Sequence, residues 1–215
     1  ITRVLLPEGN GKIAFANSVI NYFSMFAMLG IPTYGIRACA QVRDDREQLS
    51  KTAHEIWMIN GIMTVIAYAV LAVAMLVVPR FQEESILLLV CSLSMILNFA
   101  AMEWLYKALE CYTYITFRSL AFKVLAVIAM FAFVHTKEDY IKYAGIVVLA
   151  NTGYGVLNLF NLRNHITFRR FKDYQIRRHL KPVFIFFAMT VATTIYSNLD
   201  VTMLGFMRDN AEVGY

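Results

Sequence analysis

Charge is scarce in this chain of 215 residues: Asp, Glu, Lys and Arg make up 16%, against 59% hydrophobic residues, a balance outside the soluble range. Cysteine is scarcer. Cys39, Cys91 and Cys111 are odd in number and show no CxxC spacing, which excludes a disulfide framework and a zinc site of thiolates. His54, His135, His165 and His179 fall at the ends of apolar runs or in connections, with no HExxH pair, and read as scattered interfacial residues. No GxxxxGK[ST] loop, GxGxxG turn or GxSxG elbow is present, so neither a nucleotide cradle nor a hydrolase nucleophile is encoded. The two largest connections, Arg37 to Glu55 and Arg163 to Lys181, are too short for a soluble active site and long enough only for short amphipathic helices. In the second, Phe168, Phe171 and Tyr174 interleave with Arg169, Arg170 and Lys172, the pattern of a helix lying on anionic headgroups, with recognition of a phosphorylated substrate as the alternative.

What the chain has in abundance is long apolar runs. A helix needs about 20 mostly apolar residues to cross roughly 30 Å of hydrocarbon with its backbone satisfied internally. Six stretches qualify: Ile13 to Ile36, Ile56 to Pro79, Ile86 to Tyr106, Ser119 to His135, Tyr143 to Leu162 and Pro182 to Met207. They are apolar around most of their circumference, so an all-α polytopic transmembrane bundle is expected as a single domain over 1–215. Net charge is +5, and its placement speaks for a membrane and not for nucleic acid. Lys and Arg concentrate in alternate connections, 37–55, 107–118 and 163–181, which puts those three on the cytoplasmic side. The first run then enters from outside and the sixth exits there. The chain opens on Ile1 without a signal peptide and stops at Tyr215, and we expect it to be a piece of a longer protein, truncated at both ends.

Polar residues inside the runs form stripes. Asn17, Asn21 and Ser24 share a face of the first run; Asn151, Tyr154, Asn158 and Asn161 of the fifth; Thr190, Thr193, Ser197 and Asp200 of the sixth. A single stripe is matched by hydrogen-bonded glue between helices. Three together suit a wet cavity. Asp200 lies seven residues, about 10 Å, short of Met207 and is the leading candidate for an ion or substrate contact, with an ion-pair partner on another helix as the alternative. Glu103 precedes Lys107 by four residues, an order that favours an ion pair near the inner interface. Gly30, Pro32 and Gly35 predict a break in the first run.

These residues also carry a resemblance. Arg3-Val-Leu-Leu-Pro-Glu-Gly-Asn-Gly11, Phe15-Ala-Asn-Ser, Leu29-Gly-Ile-Pro-Thr-Tyr-Gly-Ile-Arg37 and Arg43-Asp-Asp, followed by Glu103-Trp-Leu-Tyr-Lys-Ala-Leu-Glu110, Tyr114-Ile-Thr-Phe-Arg-Ser119 and Asn198-Leu-Asp-Val-Thr-Met-Leu-Gly205, resemble Wzx-type oligosaccharide flippases of the multidrug/oligosaccharidyl-lipid/polysaccharide exporter superfamily. Leu6 and the Lys107-Ala108 pair depart from that pattern, which usually has Gly and Gln-Gly there. The resemblance implies a two-lobe transporter of about twelve to fourteen helices, of which this chain supplies most of the first lobe. It implies movement of undecaprenyl-diphosphate-linked oligosaccharide across the bacterial cytoplasmic membrane by alternating access, in O-antigen or capsule synthesis. The implied partners are that substrate, membrane lipids and the polysaccharide polymerase and glycosyltransferases, with no nucleic acid, no catalytic residue, no metal and no cofactor beyond an ion gradient of unnamed ion. Arg3 and Arg37 match its basic positions. A drug or metabolite exporter of the same superfamily and a non-transporting scaffold for assembly enzymes are the alternative functions.

Overall fold

The computed structural model describes the backbone of residues 2–169, 171 and 173–207, and side chains within 9–136, 138–169, 171 and 173–193. Every described element is helical. α1 (Thr2–Met28) is followed by α2 (Ile31–Ala40), α3 (Arg46–Val77), α4 (Pro79–Glu83), α5 (Ser85–Ala101), α6 (Glu103–Ala108), α7 (Tyr112–Phe133), a 3-10 turn at Lys137–Asp139, α8 (Tyr140–Thr152), α9 (Gly155–Leu162) and α10 (Arg177–Met207).

Five spans among the described residues are long and apolar enough to cross a membrane: Gly9–Ala40, Arg46–Val77, Ser85–Ala108, Tyr112–Phe133 and Tyr140–Leu162. The sixth run falls in α10, whose side chains are described only as far as Thr193. α7 shows which solvent the bundle is built for. Phe117, Leu120, Leu125, Ile128 and Phe131 point outward, while its only buried residues are Arg118 and Ala126. A helix with its aliphatic side chains outside and its arginine inside is stable only where the surroundings are hydrocarbon.

Three of the five spans are interrupted, at neighbouring places. The first breaks where Leu29 (φ 43°) and Gly30 (φ 72°) turn left-handed, as the Gly-Pro-Gly spacing predicts. Gly30 is required twice over: its φ favours glycine, and a Cβ there would lie 2.5 Å from the backbone nitrogen of Phe187 on α10. Pro32 restarts the helix within its first turn, where no backbone donor is needed. The third span breaks at Met102 (φ 42°), and the fifth turns at Gly153–Tyr154 between α8 and α9. Breaks orphan helix carbonyls, which must find donors when buried. Asn60 Nδ2 donates to Ala27 O at 2.9 Å, Trp57 Nε1 to Phe99 O at 3.2 Å, and Asn158 Nδ2 to Ala101 O at 2.5 Å.

The connections sort onto two ends. At one, Arg43 pairs with Glu110 at 2.7 Å, Arg46 Nη2 donates to Arg163 O at 3.3 Å, and Thr167 N donates to Ser50 Oγ at 2.9 Å, so the connections 37–55, 107–118 and 163–181 meet. At the other, Lys12 pairs with Glu84 at 2.8 Å, and Tyr140 donates to the same carboxylate at 3.4 Å. This is the alternation the charge pattern requires, and the Arg- and Lys-rich end is the cytoplasmic one by that rule. The core is correspondingly double. Ile13, Ile20, Leu71, Leu87, Leu88 and Met95 pack the outer half, and Ile31, Leu49, Ile56, Met102, Leu105, Leu162 and Val183 the inner half around the breaks.

The segment after α9 is a correction to the expected amphipathic helix: its described residues from Ile166 to Gln175 form none. Phe168, Phe171 and Tyr174 instead surround the His54 ring at centroid distances of 6.0, 5.8 and 6.5 Å. These ring contacts tie the described residues to the bundle, and Arg169 remains exposed.

Candidate functional site: a polar groove at paired helix breaks

The α1/α2 break and the α5/α6 break lie side by side, because Gly35 lets α2 settle on the Trp104 ring; a Cβ there would stand 2.7 Å from Trp104 Cε3. Between them opens a groove of about 180 Å³ lined by Met28, Pro32 and Ile36 on one wall and Asn98, Glu103, Trp104 and Lys107 on the other. A larger groove of about 390 Å³ between α1 and α3 is lined by Tyr22, Phe23, Phe26, Met63, Ile66, Ala67 and Val70 and offers no charge. Chemistry therefore favours the smaller one for a polar ligand.

Lys107 Nζ sits 2.8 Å from Glu103 Oε1, the i,i+4 pair read from the spacing. The other carboxylate oxygen accepts the Tyr154 hydroxyl at 2.5 Å and lies 3.5 Å from Arg118 Nη2. Arg118 is 5% exposed. Its guanidinium packs 4.0 Å from the Tyr154 ring centroid, 5.5 Å from that of Tyr114 and 5.9 Å from that of Tyr106, and Nη1 donates to Asn158 Oδ1. The result is a carboxylate between two cations, one lining the groove and one sealed behind it.

The remaining sequence candidates scatter. Arg37 is exposed on α2, one residue past Ile36 but outside the groove lining. Asn17 is half-buried and Asn21 exposed on α1, flanking its packed face, with no hydrogen bond among the described residues. Asn151 is exposed near the end of α8. Asn158 is buried, its amide engaged by Ala101 O and Arg118. Thr193 is exposed and its hydroxyl donates to carbonyls of its own helix, Met189 O at 3.0 Å and Thr190 O at 2.9 Å. Arg3, Ser197 and Asp200 lie outside the described side chains.

A second buried polar cluster, at the same end, was not legible in the spacing. Glu55 is fully buried. Its Oε2 takes Arg178 Nη2 at 2.7 Å and Nε at 3.1 Å and meets His179 Nε2 at 2.6 Å, while Oε1 accepts Gln175 N at 2.7 Å. His179 Nδ1 faces the Tyr34 hydroxyl at 2.6 Å. A neutral imidazole that donates from Nε2 and accepts at Nδ1 satisfies both contacts. Burial holds His179 below the ordinary histidine range, with the Glu55 carboxylate opposing. The cluster ties α2, α3 and α10 together. It overturns the reading of His179 as a scattered interfacial residue.

The fold and the groove define a polytopic helical membrane bundle with a charged groove on paired broken helices. The polysaccharide biosynthesis protein family matches residues 1–215, and the chain belongs to that family. A "Putative O-antigen transporter" of Escherichia coli (strain K12) is 24% identical over 217 residues, covering 100% of this chain and 52% of the relative. The chain therefore spans about half the length of that curated relative. No solved structure matches it.

Proposed function

We propose that the full-length protein moves a polyprenyl-diphosphate-linked oligosaccharide across the bacterial cytoplasmic membrane for cell-surface polysaccharide synthesis, by alternating access. The observation that carries this reading is the groove of Glu103, Lys107, Asn98 and Trp104 at two adjoining helix breaks, near the Arg- and Lys-rich end. Family membership and a relative named as a transporter support it. A sugar headgroup loses its hydrogen bonds to water on entering hydrocarbon, so the path must supply polar groups of its own. Broken helices do this at membrane depth without exposing unsatisfied backbone to lipid. Lys107 presents an ammonium to phosphate oxygens and Asn98 a carboxamide to hydroxyls.

Size limits the role. Sites for drug-sized ligands enclose about 300–1,000 Å³. At about 180 Å³ this groove fits a phosphate group and its nearest neighbour, so it anchors the headgroup while the remaining sugars occupy a wider passage. Glu103 lies five residues before Ala108, the end of its span, hence about 7 Å in, a depth suited to loading from the inner leaflet.

The test is Lys107→Met in the full-length protein, in a strain lacking its own transporter. Surface glycan is expected to fall at least tenfold at normal protein level. Undiminished export would remove Lys107 from the path and with it this placement of the site.

A further inference from the structure

The sealed arginine behind the groove is unexplained by packing alone. Arg118 is 95% buried by complement of its 5% exposure, yet its Nε and Nη2 donate no hydrogen bond. Buried guanidinium donors left unengaged are costly and call for a function. One of them, Nη2, stands 3.5 Å from Glu103 Oε2, short of a hydrogen bond but facing the carboxylate that Lys107 holds from the groove side at 2.8 Å.

An anionic ligand in the groove meets a problem of charge. Lys107 is already neutralised by Glu103, and that carboxylate repels phosphate. Stripping a half-buried carboxylate of its only counter-ion would oppose binding. Here it has a second. A movement of roughly 0.7 Å toward α7 brings Glu103 and Arg118 to the ~2.8 Å of a charge-assisted hydrogen bond. The trio of Lys107, Glu103 and Arg118 carries one net positive charge, enough to hold an anion without leaving the carboxylate bare.

We propose that Arg118 is a reserve counter-ion: when a diphosphate headgroup engages Lys107, Glu103 passes from Lys107 to the free donors of Arg118. This rests on the reading of the groove as a diphosphate anchor. Arg118 acts here as a positioning residue, since it touches Glu103 and not the ligand. The transfer also has a mechanical outlet. Tyr154, at the α8/α9 turn, donates to the same Glu103 oxygen at 2.5 Å, and Asn158, which holds Arg118, caps the broken end of α5 at Ala101 O. Movement of Glu103 therefore reaches two of the helix interruptions.

The experiment is calorimetric titration of inorganic pyrophosphate into the full-length protein in nanodiscs, for wild type, Lys107→Met, Arg118→Gln, Glu103→Gln and the Glu103→Gln/Arg118→Gln pair. Lys107→Met and Arg118→Gln are each expected to weaken binding at least tenfold. In the Glu103→Gln background, Arg118→Gln should change affinity less than twofold, because no carboxylate remains to be held. Arg118→Lys keeps the charge without the fork; it is expected to recover part of the loss and completes the same cycle if the glutamine variant does not fold. Equal losses with and without the Glu103 carboxylate, or no loss, would overturn the proposal while leaving the groove reading intact. Unchanged binding by Lys107→Met would instead remove the groove reading and the proposal with it.

Discussion

Glu55→Gln is the sharpest test of what closes the cytoplasmic end of the bundle. The substitution keeps the side chain's size and one carbonyl for Gln175 N, but removes the charge that holds Arg178 and His179 and sets an amide against their donors. Hydrogen bonds to a charged group contribute about 1.5–3 kcal/mol each. The Arg178 side chain is 46% exposed, so solvent screens its share to about 1 kcal/mol or less, and the fully enclosed His179 contact carries most of the loss. The sum is about 2–3 kcal/mol. In a chain of this size or longer each kcal/mol shifts Tm by about 2 °C, so a drop of roughly 4–6 °C is expected. The assay is thermal unfolding of the full-length protein in detergent, followed by a thiol-reactive dye reporting on Cys39, on the buried face of α2. Glu47→Gln, an exposed carboxylate in the first turn of the same helix, is the control and should move Tm by less than 1 °C. A Glu55→Gln protein within 1 °C of wild type would refute the claim that this cluster holds α2, α3 and α10 together.

Three further outcomes follow from the same geometry. Gly30→Ala forces a Cβ into the α10 backbone at a left-handed position, and is expected to cost more than about 2 kcal/mol and to lower protein yield, measured by fluorescence-detected size exclusion. Asn60→Ala leaves the Ala27 carbonyl at the first break without its donor, for a loss of about 1–3 kcal/mol, whereas Asn21→Ala on the exposed stripe should fall within about 0.5 kcal/mol of wild type; paired thermal melts check both. Acidification should loosen the same end. Because burial lowers the folded-state pKa of His179 below its unfolded value of about 6.5, its contribution is full above that pH and is lost as pH falls through the folded value. The difference in Tm between pH 7.5 and 5.5 is therefore expected to shrink in His179→Gln.

The elements that spacing alone could reveal are those whose cause is local. A 20-residue apolar run answers to hydrocarbon thickness, alternating Lys and Arg to topology, Gly30 with Pro32 to a helix break, and Glu103 with Lys107 to one helical turn, and each has its counterpart in the structure. What escaped has partners far along the chain. Glu55 and His179 are 124 positions apart, and Arg118 meets Glu103, Tyr154 and Asn158 from three different elements. Arg118 read as one more basic residue of a cytoplasmic connection; only the folding of α7 against α6 and α9 buries it. The stripe from Asn151 to Asn161 assumed one straight helix, and the Gly153–Tyr154 turn divides it, so that Asn158 faces the orphaned carbonyl of Ala101. The segment around Phe168 had helical periodicity in its aromatics, but packing around His54 outweighed it.

Reconstitution of the full-length protein into liposomes carrying a fluorescent polyprenyl-diphosphate oligosaccharide, with headgroup exposure followed by a membrane-impermeant quencher, bears most directly on the central claim. Wild-type protein is expected to move the labelled headgroup from the inner to the outer leaflet, and Lys107→Met to slow that movement at least tenfold. Wild-type liposomes no faster than protein-free ones, or a Lys107→Met rate equal to wild type, would contradict the account.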